Sequence, residues 1–481
     1  MRILLITISA RGHAIAEALK RSPQNPQIIH VCPTRNPGIR PLAEEQFVVD
    51  SLMDFPAILE IAKRTLRPRS GQASPDFAFV APDDPIGGGL ADELEKIGIP
   101  SVAPKKTLAR IESSKGFARE LWRKYGIEAA PRFRVFRNGG EGIRNWELGI
   151  RKYLEEDLGG NYVVKYDGLL GGKGVKVSGE HLLNIDEGVA YALECLEKSE
   201  QVVIEEKLIG CEFSLMSFVS GTQVVSMPAV QDHKRAFAGD TGPNTGGMGS
   251  YSDANHSLPF LRKDDIEEAH ELNVETARAL QKECGEPYKG ILYGGFIATA
   301  GGVKLIEYNA RFGDPEALNV LPILKSDFVA ICQAVLSQEL NTKLVQFEQK
   351  ATVCKYIVPV GYPDNKNQRG EAISLPSVTL SGGPPDASST RFDRLSAPLS
   401  MTGGGPETKG RIYYGDVSED HDGTLRLGGS RTAGIVGIGD TIAEAEKIAD
   451  DLCKQVKGPV RYREDIGTAE LIGKRIEMMK M

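Results

Sequence analysis

Three residues spaced two apart carry the clearest chemistry in this chain: Glu307, Asn309 and Arg311, within Leu305-Ile306-Glu307-Tyr308-Asn309-Ala310-Arg311-Phe312-Gly313-Asp314-Pro315-Glu316. The apolar pair Leu305-Ile306 predicts a buried strand leading into them. Side chains two apart on a strand point to one face, so the three should share a side. A carboxylate beside an amide oxygen suits a hard cation such as magnesium. A neighbouring guanidinium suits a phosphate or a developing oxyanion. A strand with a solvated polar face would show the same pattern, so the choice rests on the rest of the chain.

Lysines and glycines upstream add to the set. Lys165 lies inside the apolar run Tyr162-Val163-Val164-Lys165-Tyr166, a costly position unless the ammonium meets an anion. The following Leu169-Leu170-Gly171-Gly172-Lys173-Gly174-Val175-Lys176-Val177 reads as a glycine-rich loop between two short strands. Its backbone amides and Lys173 suit phosphate oxygens, although a plain glycine hairpin fits as well. It is not G-x-x-x-x-G-K-[ST], which excludes a P-loop. Lys115 sits in a strong helical pattern over Thr107–Tyr125 and by itself reads as a solvated lysine. The strand pattern Val202–Glu206 and the carboxylates up to Glu212 form an edge able to hold an adenine by backbone groups and a ribose by Glu212. Gln231–Arg235 and Gly239–Tyr251 are too polar and glycine-dense for a helix or a central strand. A long loop of that kind suits wrapping a small polar ligand.

The elements that position these groups follow from periodicity. Over the first hundred residues, strand patterns at Ile3–Ile8, Ile28–Val31, Phe77–Val80 and Ile99–Val102 alternate with helical ones at His13–Arg21, Ala57–Arg64 and Leu90–Ile97. That alternation predicts a doubly wound parallel sheet. The first turn, Thr7–His13, lacks G-x-G-x-x-G, so dinucleotide binding has no support. Topology still favours a ligand at the carboxyl ends of the strands, with Gly12, His13 and Asp83 as candidates. His13 reads equally well as a helix-start residue. Helices Glu187–Lys198, Ile266–Glu283 and Asp327–Ser337 and a hairpin over 290–309 make up the middle. A third region begins near 345, with strands Thr352–Val360 and Ala433–Ile438, the run Gly428-Gly429-Ser430-Arg431-Thr432, and the helix Thr441–Lys457. Residues 380–409 are rich in Gly, Pro and Ser and read as an exposed insertion.

At 481 residues the chain exceeds one ordinary core, and about three domains are expected. The formal charge of −7 and the lack of a basic run give nucleic-acid binding no electrostatic support. Seven scattered cysteines with no C-x-x-C signal neither zinc nor a disulfide framework, which fits a reducing cytosol. The apolar start is too short for a signal peptide, and no run approaches a membrane span. A cytoplasmic protein with no membrane partner is expected.

Several motifs then converge in order: Ser114-Lys115-x-Phe117-Ala118, Val164-Lys165 with its Gly-Lys-Gly loop, Glu205–Glu212, Gln231–Arg235 with Gly239–Gly249, Ile306–Glu316, Gly437–Asp440, and Tyr462-Arg463-x-Asp465-Ile466-Gly467. Nearly end to end, the chain resembles the phosphoribosylamine–glycine ligase (glycinamide ribonucleotide synthetase) family of ATP-grasp enzymes. The resemblance implies an N-terminal α/β sheet over 1–104, an ATP-grasp domain over 105–340 with a lid near 125–205, and a mostly β C-terminal domain with helices over 341–481. It implies that ATP, with Mg2+ or Mn2+, activates the glycine carboxylate as a phosphate, which the amine of 5-phosphoribosylamine attacks in a step of purine biosynthesis. Lys115, Lys165 and Lys173 would hold the ATP phosphates, Glu205, Glu206 and Leu208 the adenine, Glu212 the ribose, and Glu307 and Asn309 the metal. Arg311, Asp314 and Lys234 would be catalytic. Gly12, His13, Asp83, Asp232, Asp240, Asn244 and Thr245 would contact the substrates. A monomer or weak homodimer is expected.

The chain departs from the family pattern in three places. Ser9-Ala10-Arg11-Gly12-His13-Ala14-Ile15 replaces a G-G-R-E-H-A-L-like turn, Ala81-Pro82-Asp83 replaces Gly-Pro-Glu, and Gly295 stands where some relatives carry glutamine. A different ATP-grasp ligase would not share the Asp232–Gly249 segment. A non-catalytic nucleotide binder would have no use for Glu307, Asn309 and Arg311 together.

Overall fold

The computed structural model describes residues 1–65, 76–138, 143–169, 174–376 and 409–480. Lys173 and nearly all of the 380–409 segment lie outside them. The first sheet has strands β1 (Arg2–Ile6), β2 (Gln27–Cys32), β3 (Glu45–Val48), β4 (Phe77–Val80) and β5 (Ser101–Val102) in the order β3-β2-β1-β4-β5. Every pairing is parallel, as the alternation of strand and helix predicts. Ile3 to Ile6 are fully buried, because helices cover both faces of such a sheet at its central strands. β3 is not foreseen by periodicity. It is an edge strand of half-exposed and exposed residues, so it lacks the apolar run that marks its neighbours.

A second unit packs strands Phe133–Arg137, Gln201–Glu206, Tyr162–Tyr166 and Val175–Val177, in that order, against helices Ile143–Lys152 and Ile185–Lys198. It has its own apolar cluster around Phe136, Leu154, Val164 and Ile204. Beside it stands an antiparallel sheet of Gln223–Ser226, Cys211–Ser220, Lys289–Thr299 and Gly302–Asn309, backed by the helix Lys263–Cys284. The last two strands pair Phe296 with Leu305 and Gly295 with Glu307, which leaves Ile306 as a bulge. A bulge inserts one unpaired residue and re-aims the side chains beyond it.

The helical pattern over Thr107–Tyr125 is two helices, Lys106–Ser113 and Lys115–Tyr125. Ser114 between them is extended (φ −135°, ψ 109°), and its hydroxyl accepts the Phe117 N–H at 3.1 Å. Serine satisfies helix-start amides better than it continues a helix. The break puts Lys115 at the head of the second helix rather than on a solvated flank.

In the C-terminal region the strand Ala351–Pro359 is buried along its whole length. Gly249–Ser252 and then Gln231–Asp232 lie on one side of it, Ala433–Gly439 and Gly410–Tyr414 on the other. The polar 231–251 stretch is therefore not the single loop expected. It is a strand, a two-stranded ribbon (Arg235–Phe237 with Thr241–Asn244), and a fully buried strand. Left-handed residues Gly239, Asp240 and Gly242 make the turn of the ribbon. Among the described residues no helix is long and apolar enough to cross a membrane.

Gly249 lets this polar stretch enter the sheet. Its φ is +153°, and a Cβ there would fall against the carbonyl oxygen of Cys354 on the neighbouring strand. Gly249→Ala is expected to destabilise the protein by about 1–3 kcal/mol, read as a lower midpoint in denaturant unfolding.

Candidate active site

The sheets meet around a cavity of about 570 Å3. Of the candidate residues, Asp83, Lys115, Lys165, Asp232, Lys234, Thr245, Glu307, Asn309, Arg311 and Asp314 line it. Gly12, His13, Glu205, Glu206, Leu208, Glu212, Asp240 and Asn244 are not on its wall.

One end is built on buried cations. Arg119 Nε donates to Glu205 Oε1 at 2.6 Å and Lys165 Nζ lies 2.8 Å from Glu205 Oε2, with all three side chains almost wholly buried. The bulge turns the Ile306 carbonyl inward, where it accepts from Arg119 Nη2 at 2.5 Å and from Lys165 Nζ at 3.4 Å. Burial opposes ionisation of Glu205, but Arg119 and Lys165 outweigh it and hold the carboxyl below its ordinary range. Burial pushes the Lys165 ammonium down, with Glu205 opposing. One carboxylate thus serves two cations, leaving a positive wall suited to an anion. Lys115 Nζ adds to this end and donates to the Gly168 carbonyl at 3.1 Å.

Glu307 comes directly after the bulge. Among the described residues its carboxylate accepts no hydrogen bond and forms no ion pair. Burial works against its charge, but Lys234, Lys115, Lys165 and Arg311 together hold it below the usual carboxylate range. Asn309 Oδ1 has a weak contact at 3.5 Å from Arg311 Nη2. An uncommitted carboxylate and a nearly uncommitted amide oxygen on one strand fit a hard divalent cation. Among the described residues no group of three or more His, Cys, Asp or Glu could hold a metal ion. Ligand oxygens and water would have to complete the shell, as is usual for magnesium on phosphates.

Arg311 is fixed by Glu112, 3.1 Å from its Nη2, while Glu112 Oε2 accepts the Ala310 N–H at 2.8 Å. Burial opposes the Arg311 charge, but Glu112 and Asp83 hold it more firmly charged than an ordinary arginine. Its Nε is buried without a partner, a donor left over for a ligand. Lys234 lies 3.3 Å from Glu212 Oε2, and the charges of Asp232 and Glu212 push its pKa well above the ordinary value. Glu316, outside the candidate set, lines the cavity and accepts the Tyr293 hydroxyl at 2.9 Å. Burial first and the Asp232 charge second push its carboxyl up to about 7.

Asp314 joins three parts of the chain. Its Oδ2 accepts the Ser9 hydroxyl at 2.6 Å, and its Oδ1 accepts the Tyr356 hydroxyl and lies 3.3 Å from Arg431 Nη1. The same Arg431 nitrogen donates to the Gly246 carbonyl at 2.7 Å, tying down the glycine-rich segment.

Several candidate residues prove to have structural partners. His13 Nδ1 accepts the Tyr414 N–H at 3.0 Å, and its ring packs edge-on against Tyr413. Burial lowers its pKa to about 4, so it is neutral. Ser9 and Arg11 are the residues of that helix on the cavity wall, and Arg11 Nη1 donates to the Phe312 carbonyl at 2.6 Å. Two residues of helix turn a side chain by about 200°, which sends Arg11 and His13 opposite ways. A Cβ on Gly12 would fall against the Thr7 side chain, so this glycine is a packing residue. Glu206 is engaged by Arg132 N and Nε at 2.8 and 2.9 Å, and Leu208 is half-buried beyond the strand end. Asp240 is clamped by Arg463 at 2.8 Å and by Arg475. Asn244 ends the ribbon opposite Arg235.

A family model for the N domain of phosphoribosylglycinamide synthetase matches residues 1–112, and one for its ATP-grasp (A) domain matches 113–317. The phosphoribosylamine–glycine ligase of Methanococcus maripaludis is 44% identical over 486 residues, covering 100% of this chain and 99% of that protein. The chain belongs to the phosphoribosylglycinamide synthetase family. The Methanosarcina barkeri member is 43% identical over 480 residues, with 100% and 99% covered. The crystal structure of the Thermotoga maritima phosphoribosylamine–glycine ligase is similar at TM-score 0.72 and 27% identity, covering 97% of this chain and 100% of that one. The biotin carboxylase domain of Hydrogenobacter thermophilus 2-oxoglutarate carboxylase, solved with MgADP and bicarbonate, shares the fold at TM-score 0.65 and 13% identity, with 100% and 94% covered. The α/β and α+β architecture expected from the sequence, with an N-terminal parallel sheet, an ATP-grasp centre and a mostly β C-terminal part with helices, is thus borne out, and the C-terminal strands pair antiparallel.

Two outcomes are expected from the electrostatics. Glu205→Gln strands two buried cations and is expected to destabilise the fold by about 3 kcal/mol or more, read by denaturant unfolding. For Glu316, a carboxyl raised to about 7 in the folded state takes up a proton on folding between its unfolded value and about 7. Its contribution to stability therefore falls as pH rises through that window. Relative to the parent protein, Glu316→Gln is expected to gain thermal stability at pH 8 and not at pH 5.

Proposed function

We propose that this chain joins glycine to 5-phosphoribosylamine at the expense of ATP, giving glycinamide ribonucleotide, ADP and phosphate in purine biosynthesis. The observation that carries the reading is a single cavity uniting buried cations, an uncommitted Glu307 and the Asp314 junction, in a chain that matches phosphoribosylamine–glycine ligases over its whole length. The reading gives 1–104 the phosphoribosyl side, 105–340 the nucleotide with a lid near 125–205, and 341–481 the closing wall. It implies a cytoplasmic enzyme, monomeric or weakly dimeric.

A carboxylate becomes an electrophile only when one of its oxygens is made a leaving group. Lys115 and Lys165 hold the ATP phosphates, with Lys173 assigned to them by the family pattern. The glycine carboxylate attacks the γ-phosphorus, and ADP leaves. The amine of phosphoribosylamine then attacks the carbonyl carbon of glycyl phosphate, and the tetrahedral adduct expels phosphate and loses a proton. Arg311, held by Glu112 with its Nε free, donates to the oxygen that gains charge in both steps. Asp314 accepts from the glycine ammonium, and Lys234 with Asp232 orients the acyl group. Asp83 and Thr245, both on the cavity wall, border the substrates. Glu307 and Asn309 would hold Mg2+ or Mn2+, which supplies charge neutralisation on the phosphates.

Phosphate release from MgATP is expected to require both glycine and phosphoribosylamine. Release that ignores glycine, or that another acid supports in its place, would overturn the assignment. Glu307 has no partner among the described residues to lose, so Glu307→Ala is expected to abolish turnover while leaving the melting temperature near that of the parent. Full activity in that variant would remove Glu307 from the metal role.

A further inference from the structure

Ser9 holds a backbone conformation that does not suit its residue type. Its φ is +69°, in the left-handed region that glycine adopts freely and other residues adopt at a cost. It does so at the mouth of the cavity, at the first position of the helix Ser9–Lys20. Glycine would make the same turn with less strain, so the side chain is the feature to explain. That side chain does one thing among the described contacts. Its hydroxyl donates to Asp314 Oδ2 at 2.6 Å, linking positions 305 residues apart.

The other Asp314 oxygen is already crowded, since Oδ1 takes the Tyr356 hydroxyl and Arg431. Among the described residues, Ser9 is the sole donor to Oδ2. Without it the carboxylate is anchored through one oxygen and free to rotate about its own bond. With it, both oxygens of this cavity-lining carboxylate are fixed.

We infer that Ser9 is a positioning residue for the reaction, a strained serine kept in place of a relaxed glycine so that its hydroxyl orients Asp314 toward the substrate. The inference rests on the role given to Asp314 under the proposed function. The charged and titratable groups facing Asp314 are Arg431 and Tyr356 from the C-terminal region, Arg11 from the first helix, and the Cys354 thiol. Burial pushes the Asp314 carboxyl up, while Arg431, Arg11 and the two hydroxyl donors outweigh it and keep the group ionised. Loss of one donor moves that balance toward the protonated form. The acid limb of kcat/KM then shifts to higher pH, a change that a merely structural hydroxyl would not produce.

The test compares Ser9→Gly, Ser9→Ala and Asp314→Asn in the full chain. Ser9→Gly relieves the strain and removes the hydroxyl, so it is expected to melt at or above the parent temperature. Its kcat/KM for glycine is nonetheless expected to fall by about tenfold or more, the worth of a hydrogen bond to a charged group, with the acid limb displaced upward. Ser9→Ala keeps the strain and is expected to show the same kinetic loss and pH displacement without any gain in stability. Parent-like kcat/KM and pH profile in Ser9→Gly, alongside an impaired Asp314→Asn, would overturn the inference and leave the role of Asp314 standing. Parent-like activity in Asp314→Asn would overturn that role itself, and the positioning inference with it.

Discussion

Two buried cations sharing one buried carboxylate is the constraint on which the site depends. Arg119 and Lys165 both pair with Glu205, and one negative charge offsets only one of the two positive ones. Burying charge is costly unless partners are close and correctly aimed. The helix Lys115–Tyr125 and the strands Tyr162–Tyr166 and Gln201–Glu206 must therefore meet at fixed spacing. The uncompensated charge leans on the bulged Ile306 carbonyl. Glu307 follows that carbonyl directly on the strand Gly302–Asn309. The remaining positive charge faces the cavity together with Lys115, where the Glu307 carboxylate partly answers it.

Asp314 is a second buried charge fixed by long-range partners. It lies in the chain turn after the Glu307 strand, and its two oxygens draw on the first helix through Ser9 and on the C-terminal region through Tyr356 and Arg431. Arg431 then reaches the carbonyls of Gly246 and Gly247. The cavity wall is thus assembled from segments hundreds of residues apart, held by charge-assisted contacts that local sequence does not encode. Arg11 and Arg311 also line the cavity, where Asp83 and Glu112 oppose the mutual repulsion of their charges.

Periodicity made most of the scaffold legible. Continuous apolar runs such as Ile3–Ile6 mark strands buried on both faces, and the lysine within Tyr162–Tyr166 marks itself by being expensive there. Signals that arise from tertiary contacts were not legible. Arg119 sits in a helix rich in charge and looks like any solvated arginine until Glu205 is seen beneath it. The bulge at Ile306 leaves no trace in a two-residue alternation. The split at Ser114 was signalled by a serine at a helix start, yet the apolar period runs across it. At the first turn the sequence points to Gly12 and His13, whereas helix geometry turns Arg11 to the cavity and His13 to Tyr413. The polar 231–251 stretch folds into strands because Arg463 and Arg475 hold its turn through Asp240.

The chemistry stands or falls on whether the glycine carboxylate is itself phosphorylated. With both carboxylate oxygens of glycine labelled by oxygen-18, the acyl phosphate route transfers one labelled oxygen to each phosphate released and leaves the other in the amide. Mass spectrometry of the released phosphate reads this directly. The expected result is one oxygen-18 per phosphate at every extent of reaction. Phosphate free of label would contradict the route, because no glycyl phosphate would then have formed.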